Sequence, residues 1–247
     1  MYPVICKIGP LQVYSYGLML ALAVIVCTHW MSREARRLRL SAELIYDLVF
    51  WVVIGGILGG RIFYILLNWN FFLQHPAEIV MVQHGGLAWQ GALMVGSLAG
   101  VVFIRRRKLA LGPMLDLAAP YIALGQAIGR VGCFLNGCCY GREVSWGIYF
   151  PVHGARLHPT QLYSAVGLLL IFLILKKFRR LRKVPGQVLV LYLMLASVQR
   201  FCIEFWRADH EVIWAGLSIF QIMSIVLFLL GLIVNRLLTR YHRSSSL

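Results

Sequence analysis

The chain has 247 residues, 60% of them hydrophobic and only 13% charged, with a formal net charge of +15. A soluble domain carries about 25% charged residues, so this composition, with a mean hydropathy of +0.76, excludes an ordinary water-soluble globule. Nucleic acid is excluded as a partner by placement, because the basic runs sit at the ends of apolar spans.

From the N-terminus, "MYPVIC" offers neither a basic n-region nor an apolar run ahead of Cys6. A removable leader and a lipid-bearing Cys6 are therefore not expected. The first predicted helix covers 14–30 and is followed by "REARRLRL" (33–40). The second, 45–67, contains "GGILGGRIFY", where Gly55 with Gly59, and Gly56 with Gly60, have the small-xxx-small spacing of close helix packing. The third, 87–104, carries Gln90 and ends in "RRRK" (105–108). The fourth, 113–134, repeats the glycine spacing at Gly125 and Gly129 and leads into Arg130. The fifth, 160–175, opens on "HPTQLY" and ends in "KKFRRLRK" (176–183). The sixth and seventh cover 187–206 and 214–237, and a basic tail closes the chain at 236–247.

These runs approach the ~20 apolar residues that cross a bilayer. The expected fold is all-α: one polytopic integral-membrane domain over 1–247, with about seven transmembrane helices. Basic segments recur after every second span, the positive-inside pattern, and suit the anionic lipids of a cytoplasmic leaflet. That orientation puts the N-terminus outside and the tail in the cytoplasm. Three segments then face outward: 68–86, 135–159 and the turn around Asp209. Arg61, His84, Gln90, Arg130, Asn136, His158, Gln161, Arg200, Glu204 and Arg207 gather at or near these outward ends. Any chemistry is expected in the outer half of the membrane.

Arg130 follows a nearly unbroken apolar stretch. A guanidinium at mid-span costs roughly 2.5–3.5 kcal/mol on insertion scales and seeks a partner. Its planar fork suits carboxylate or phosphate. "QRFCIEFWR" spaces Arg200, Glu204 and Arg207 for one helical face. Glu204 either ties both arginines into a structural Arg–Glu–Arg ladder between helices, or orients one and leaves the other free for an anion. Arg61, Arg130, Arg200 and Arg207 outnumber the nearby acids, so an anion is expected to complete the site. His158 is either a general base or a hydrogen-bonded interface anchor.

"GRVGCFLNGCCYG" (129–141) raises a thiol question. Structural zinc prefers C-x(2–4)-C pairs in duplicate; here Cys138 and Cys139 are adjacent, Cys133 is five residues away, and no second pair follows. No metal and no cofactor are expected. Two other readings stay open: a thiol/disulfide oxidoreductase using Cys138 and Cys139, and an anionic-lipid transporter. The hydrolase patterns H-E-x-x-H and G-x-S-x-G are absent from the sequence.

Taken in order, "YSYGLM", "GGRIFYIL", "HGGLAWQG", "GRVGCFLNGCCYG", "HPTQLY" and "RFCIEFWR" resemble the motifs of the bacterial prolipoprotein diacylglyceryl transferases. Asp116, Pro120 and Gly125 match the approach to the signature, which usually reads G-R-x-G-N-F-x-N-x-E-x-x-G. The resemblance implies transfer of the diacylglyceryl group of phosphatidylglycerol to the lipobox cysteine of a prolipoprotein signal peptide. A thioether forms and glycerol phosphate leaves, at the outer face of the cytoplasmic (inner) membrane. It implies that Arg130 binds phosphate and that Arg200 is a second essential arginine, with Glu204 beside it and Tyr16 on a site position. Asn136, Gly141, Arg207, Arg61 and Gln90 complete the expected phosphatidylglycerol site. The chain departs from the family at three places: Gln90 stands where a histidine is common, and Cys133 and Cys138 replace Asn and Glu. An amide takes no proton, so His84 or His158 serves as base, or no dedicated base exists.

Overall fold

In the computed structural model of the chain, the residues described are 1–8, 11–81, 85–181, 184–208, 212–214 and 216–244. His84 and the turn at Asp209 lie outside them. The helices of eighteen residues or more among them are α1 (Ser15–Arg37), α2 (Ala42–Leu67), α4 (Trp89–Arg106), α5 (Leu111–Asn136), α6 (Thr160–Leu181), α7 (Gln187–Glu204) and α8 (Ile219–Ser244). A short α3 (Trp69–Gln74) and a 3-10 turn (Pro76–Ile79) follow α2. The helices extend the predicted spans into their basic ends, because arginine and lysine are good helix formers and favour the last turn, where the dipole is negative. Arg36 and Arg37 close α1, Arg105 and Arg106 close α4, and Arg179 and Arg180 lie in the last turn of α6.

Among the described residues five stretches are long and apolar enough to cross a membrane: α1, α2, α6, α7 and Ile219–His242 of α8. Much of their apolar surface is exposed, as at Leu169, Leu170, Leu173 and Ile174 of α6 and Leu229, Leu230 and Ile233 of α8. Exposed leucine and isoleucine faces on such helices are what a lipid solvent requires. The chain is therefore a mostly helical, multi-pass membrane protein.

The all-α expectation needs one correction. Three short antiparallel pairs join the helices: β1 (Val4–Ile8) with β2 (Leu11–Tyr14), β3 (Glu143–Phe150) with β4 (Ala155–Leu157), and β5 (Val212–Trp214) with β6 (Leu217–Ser218). The longest, β3, reads EVSWGIYF, rich in β-branched and aromatic residues; the other strands have two to five residues, too few to show a period.

The chain divides into two compact units, 32–114 and 1–31 with 115–247. In the first, α2 and α4 meet backbone to backbone. A Cβ on Gly59 would stand 2.4 Å from the Gly91 carbonyl oxygen, and one on Gly91 would stand 2.2 Å from that of Gly59. Gly55 and Gly96 extend the same line. This is the contact that the small-xxx-small spacing predicts.

In the second unit, α5 lies along α1. Gly125 faces Cys27 Sγ, Gly129 faces Leu20, and Gly132 faces Tyr16 and Met19. At one end of this unit the buried Asp116 of α5 accepts three backbone N–H groups at the start of α7: Gly186 at 2.6 Å, Val188 at 2.9 Å and Leu189 at 3.0 Å. A helix N-terminus leaves such donors unpaired, and here a carboxylate from another helix meets them. At the other end lie the last turns of α5 and α7 and the first turns of α1, α6 and α8.

Candidate active site

The signature begins where α5 stops. Gly137 N–H donates to the Phe134 carbonyl at 3.2 Å and Cys138 N–H to the Cys133 carbonyl at 3.1 Å, with Gly137 at φ +79°. That is a Schellman end, whose 6→1 pairing sets the third residue from the helix end beside the second residue beyond it. Here those two are Cys133 and Cys138. Cys139 follows with φ +61°, a left-handed conformation unusual for a side-chain-bearing residue. The three sulfurs all lie within 4.8 Å of one another. The helix end thus brings together three thiols that are up to six residues apart in sequence.

"HPTQ" holds this turn from α6. Thr160 Oγ1 donates to the Cys139 carbonyl at 2.8 Å, and Gln161 Nε2 donates to the Cys138 carbonyl at 2.7 Å. Next comes Gly141, wedged between two chains. Its N–H donates to the His158 carbonyl at 2.9 Å, and it bridges to Arg207. A Cβ there would meet the Trp206 carbonyl oxygen at 2.4 Å and His158 Cβ at 2.5 Å. Only glycine allows that approach. His158 is buried; its Nδ1 lies 3.2 Å from Tyr163 Oη, and Trp146 meets its ring edge-on.

Beyond Gly141 lies the arginine ladder, with one difference from expectation. The α-helix ends at Glu204, and Phe205, Trp206 and Arg207 continue as turns bonded three residues back. Glu204 is fully buried, and its Oε2 lies 2.7 Å from Arg200 Nη2 and 3.8 Å from Arg207 Nε. Both arginines therefore share one carboxylate oxygen, the ladder arrangement of the two that the spacing allowed. Arg200 also stacks over the Phe220 ring at 4.5 Å. Glu204 Oε1 accepts from Ser218 Oγ at 3.1 Å. Ser218 and Gln221 form a capping box at the start of α8: Gln221 Oε1 accepts from Ser218 N–H, and Ser218 Oγ accepts from Gln221 N–H. Sequence reasoning missed these two residues, although S-x-x-Q ahead of an apolar run is their signal.

Arg130 is half-buried in the last turns of α5 and makes no hydrogen bond or ion pair among the described residues. Tyr16 packs against Gly132 on the same helix end. The Cys139 thiol is held below the usual thiol range by hydrogen bonds from Cys133 and Cys138, with the charges of Arg130 and Arg207 acting the same way. Asn136 is the last residue of α5, two positions ahead of Cys138. Tyr16, Arg130, Asn136, Gly141, His158, Arg200, Glu204 and Arg207 thus share one end of one unit. Among these residues three guanidiniums stand against one carboxylate in charge, and two of them meet it directly, leaving net positive charge for an anion.

The other unit carries Gln90, exposed in the first turn of α4, and Arg61. Arg61 departs from the reading as an open anion ligand. Its Nε donates to the Ile79 carbonyl, Nη1 to those of Gly85 and Gly86, and Nη2 to those of Glu78 and Met81. A guanidinium has five N–H donors, and all five are taken by backbone. Phe72 and Tyr64 stack on its flanks at 5.3 and 5.9 Å. Arg61 is a clasp for these backbone carbonyls.

Residues 3–236 match the family described as prolipoprotein diacylglyceryl transferase. Relatives named phosphatidylglycerol–prolipoprotein diacylglyceryl transferase include one from Geobacter sulfurreducens, 38% identical, covering 96% of this chain and 95% of the relative. One from Trichormus variabilis is 35% identical over 93% of this chain and 87% of the relative. One from Listeria innocua is 33% identical over 95% of this chain and 89% of the relative.

Proposed function

The chain belongs to the prolipoprotein diacylglyceryl transferase family, and from that premise we propose how its own residues carry the reaction. The enzyme transfers the diacylglyceryl group of phosphatidylglycerol to a cysteine thiol of a prolipoprotein. The thiolate sulfur attacks the glycerol carbon that bears the phosphodiester. The carbon–oxygen bond breaks, and glycerol phosphate departs with the electron pair. Two demands follow: stabilisation of the departing phosphate, and removal of the thiol proton.

Arg130 meets the first. The observation that carries this reading is a half-buried guanidinium with its donors unused among the described residues, at the same end of the unit as the cluster that Arg200 and Arg207 form around the buried Glu204. Preorganised cations aimed at developing charge are worth most where water is scarce. Arg200 and Arg207, fixed by Glu204, add field and donors to the same anion, and the Tyr16 hydroxyl and Asn136 amide orient it. Gly141 holds this arrangement by letting its neighbours approach. For the second demand we assign His158, with Nδ1 engaged by Tyr163 and Nε2 left for the proton; Gln90 has no basic nitrogen. The acceptor cysteine is that of the lipobox.

The basic helix ends are proposed to face the cytoplasm, with α4 and α5 also crossing the cytoplasmic membrane. The site then opens to the outer side, the N-terminus lies outside, and the tail (236–247) lies inside.

The test uses purified protein, phosphatidylglycerol vesicles and a lipobox peptide. The expected result is the diacylglyceryl mass shift on the peptide cysteine, reduced about 10²–10³-fold in Arg130→Ala, the range for removing one preorganised oxyanion donor. Full transfer by that variant would remove Arg130 from the mechanism.

A further inference from the structure

Cys133, Cys138 and Cys139 have no part in the transfer just described, yet the fold gathers and fixes them. The Schellman end of α5 brings Cys133 against Cys138, and the left-handed backbone at Cys139 turns a third thiol to the same point. Thr160 and Gln161 lock the two carbonyls beside them. The sulfurs lie within 4.8 Å of one another, with Cys133 buried and the other two half-buried. We propose that these three cysteines form a binding site for a soft, thiophilic metal ion in three-coordinate thiolate geometry, of which Cu(I) is the representative.

Geometry supports the count. Three sulfurs at about 2.3 Å from one ion stand about 4 Å apart in a trigonal arrangement, so closure moves each by at most about half an ångström. Ligand chemistry supports the class. Thiolates select Cu(I) and zinc among the available ions, but structural zinc takes four protein ligands. Among the described residues no fourth His, Cys, Asp or Glu joins the group. A d10 monovalent ion is satisfied by three. The thioether of Met1 lies against Gly137, in the turn between Cys133 and Cys138, so another soft donor borders the cluster. Binding replaces S–H bonds by S–metal bonds and releases the thiol protons to solvent. No electron changes hands.

The experiment titrates the full-length protein in detergent with Cu(I) under reducing, anaerobic conditions against a chromophoric Cu(I) chelator. X-ray absorption then counts the sulfur neighbours. The expected result is one ion per chain with three sulfur neighbours. Cys138→Ser and Cys139→Ser should each weaken binding at least about 100-fold, the upper end of what losing a mere outer-shell partner costs. Circular dichroism and size exclusion establish that each variant is folded. A control with Cys6, Cys27 and Cys202 changed to Ser should bind like the parent. Three outcomes overturn the site: no copper retained against the chelator, single variants binding as the parent does, or binding lost in the control. None of these readouts involves lipid transfer, so failure of the metal site and failure of the transferase reading are separately visible.

Discussion

Ser218 Oγ stands 3.1 Å from Glu204 Oε1, so the residue that caps α8 also donates to the carboxylate that ends α7. Through Oε2 the same carboxylate meets Arg200 and Arg207. Two arginines, a helix start and a helix end are thereby tied to one buried group. Removing the charge of a buried pair costs roughly 3–5 kcal/mol, and Arg200, being partly exposed, draws the figure to the lower end. Glu204→Gln is expected to lower thermal stability by that order and to abolish transfer. Ser218→Ala should cost only about 1 kcal/mol, one hydrogen bond's worth. Thermal melts of both variants beside the peptide mass-shift assay check the ranking, and equal effects would contradict it.

His158→Gln should lower the turnover number by about 10²–10⁴, the usual contribution of a positioned base. The deficit has a sign in pH. A free thiol ionises near about 8.5, so raising the pH past that value supplies thiolate without a base. The gap between parent and variant should therefore narrow as pH rises from 7 to 9. A constant ratio across that range would show that His158 only positions its neighbours.

Gly141→Ala places a methyl 2.4 Å from the Trp206 carbonyl oxygen, a backbone atom, and 2.5 Å from His158 Cβ, which is bonded directly to the backbone. Neither neighbour moves without breaking the Gly141–His158 or Arg142–Trp206 hydrogen bond. Transfer should be lost although no polar group has been removed. Gly154→Ala is the control. Gly154 has nothing within 4 Å of an added Cβ, though its φ of +63° adds mild strain. Activity measured at equal amounts of folded protein decides the comparison.

Asp116→Asn leaves the shape of the α7 cap but replaces one carboxylate oxygen by a donor that cannot accept the backbone N–H groups. The expected loss is roughly 1–3 kcal/mol of stability, from unsatisfied buried donors. The cap lies at the end of the unit away from the arginine cluster. Residual folded protein should therefore keep its affinity for phosphatidylglycerol, and a lipid-binding titration at reduced temperature measures this. A selective loss of lipid affinity with unchanged stability would refute a purely capping role.

The helices were readable because a bilayer imposes a local rule: each crossing needs a long apolar run, and runs are visible in one dimension. The close approach of α2 and α4 was readable from Gly55, Gly59 and their spacing for the same reason. Arg61 was misjudged because its partners come from residues 17 to 25 positions away, and nothing local marks a carbonyl as waiting for a guanidinium. The spacing of Arg200, Glu204 and Arg207 put all three on one helical face, but only the fold shows that one carboxylate oxygen meets both guanidiniums.

By itself the sequence determined the class of protein, the places of its long apolar runs, and the family. Hydropathy and motif order are properties of the chain as a string. Tertiary structure decided which residues act together: that Arg200 and Arg207 share Glu204, that Asp116 closes another helix, and that Cys133, Cys138 and Cys139 converge. The reason is physical. Hydrogen bonds, ion pairs and metal sites act over about 2–4 Å, and only a folded backbone brings distant residues within that reach.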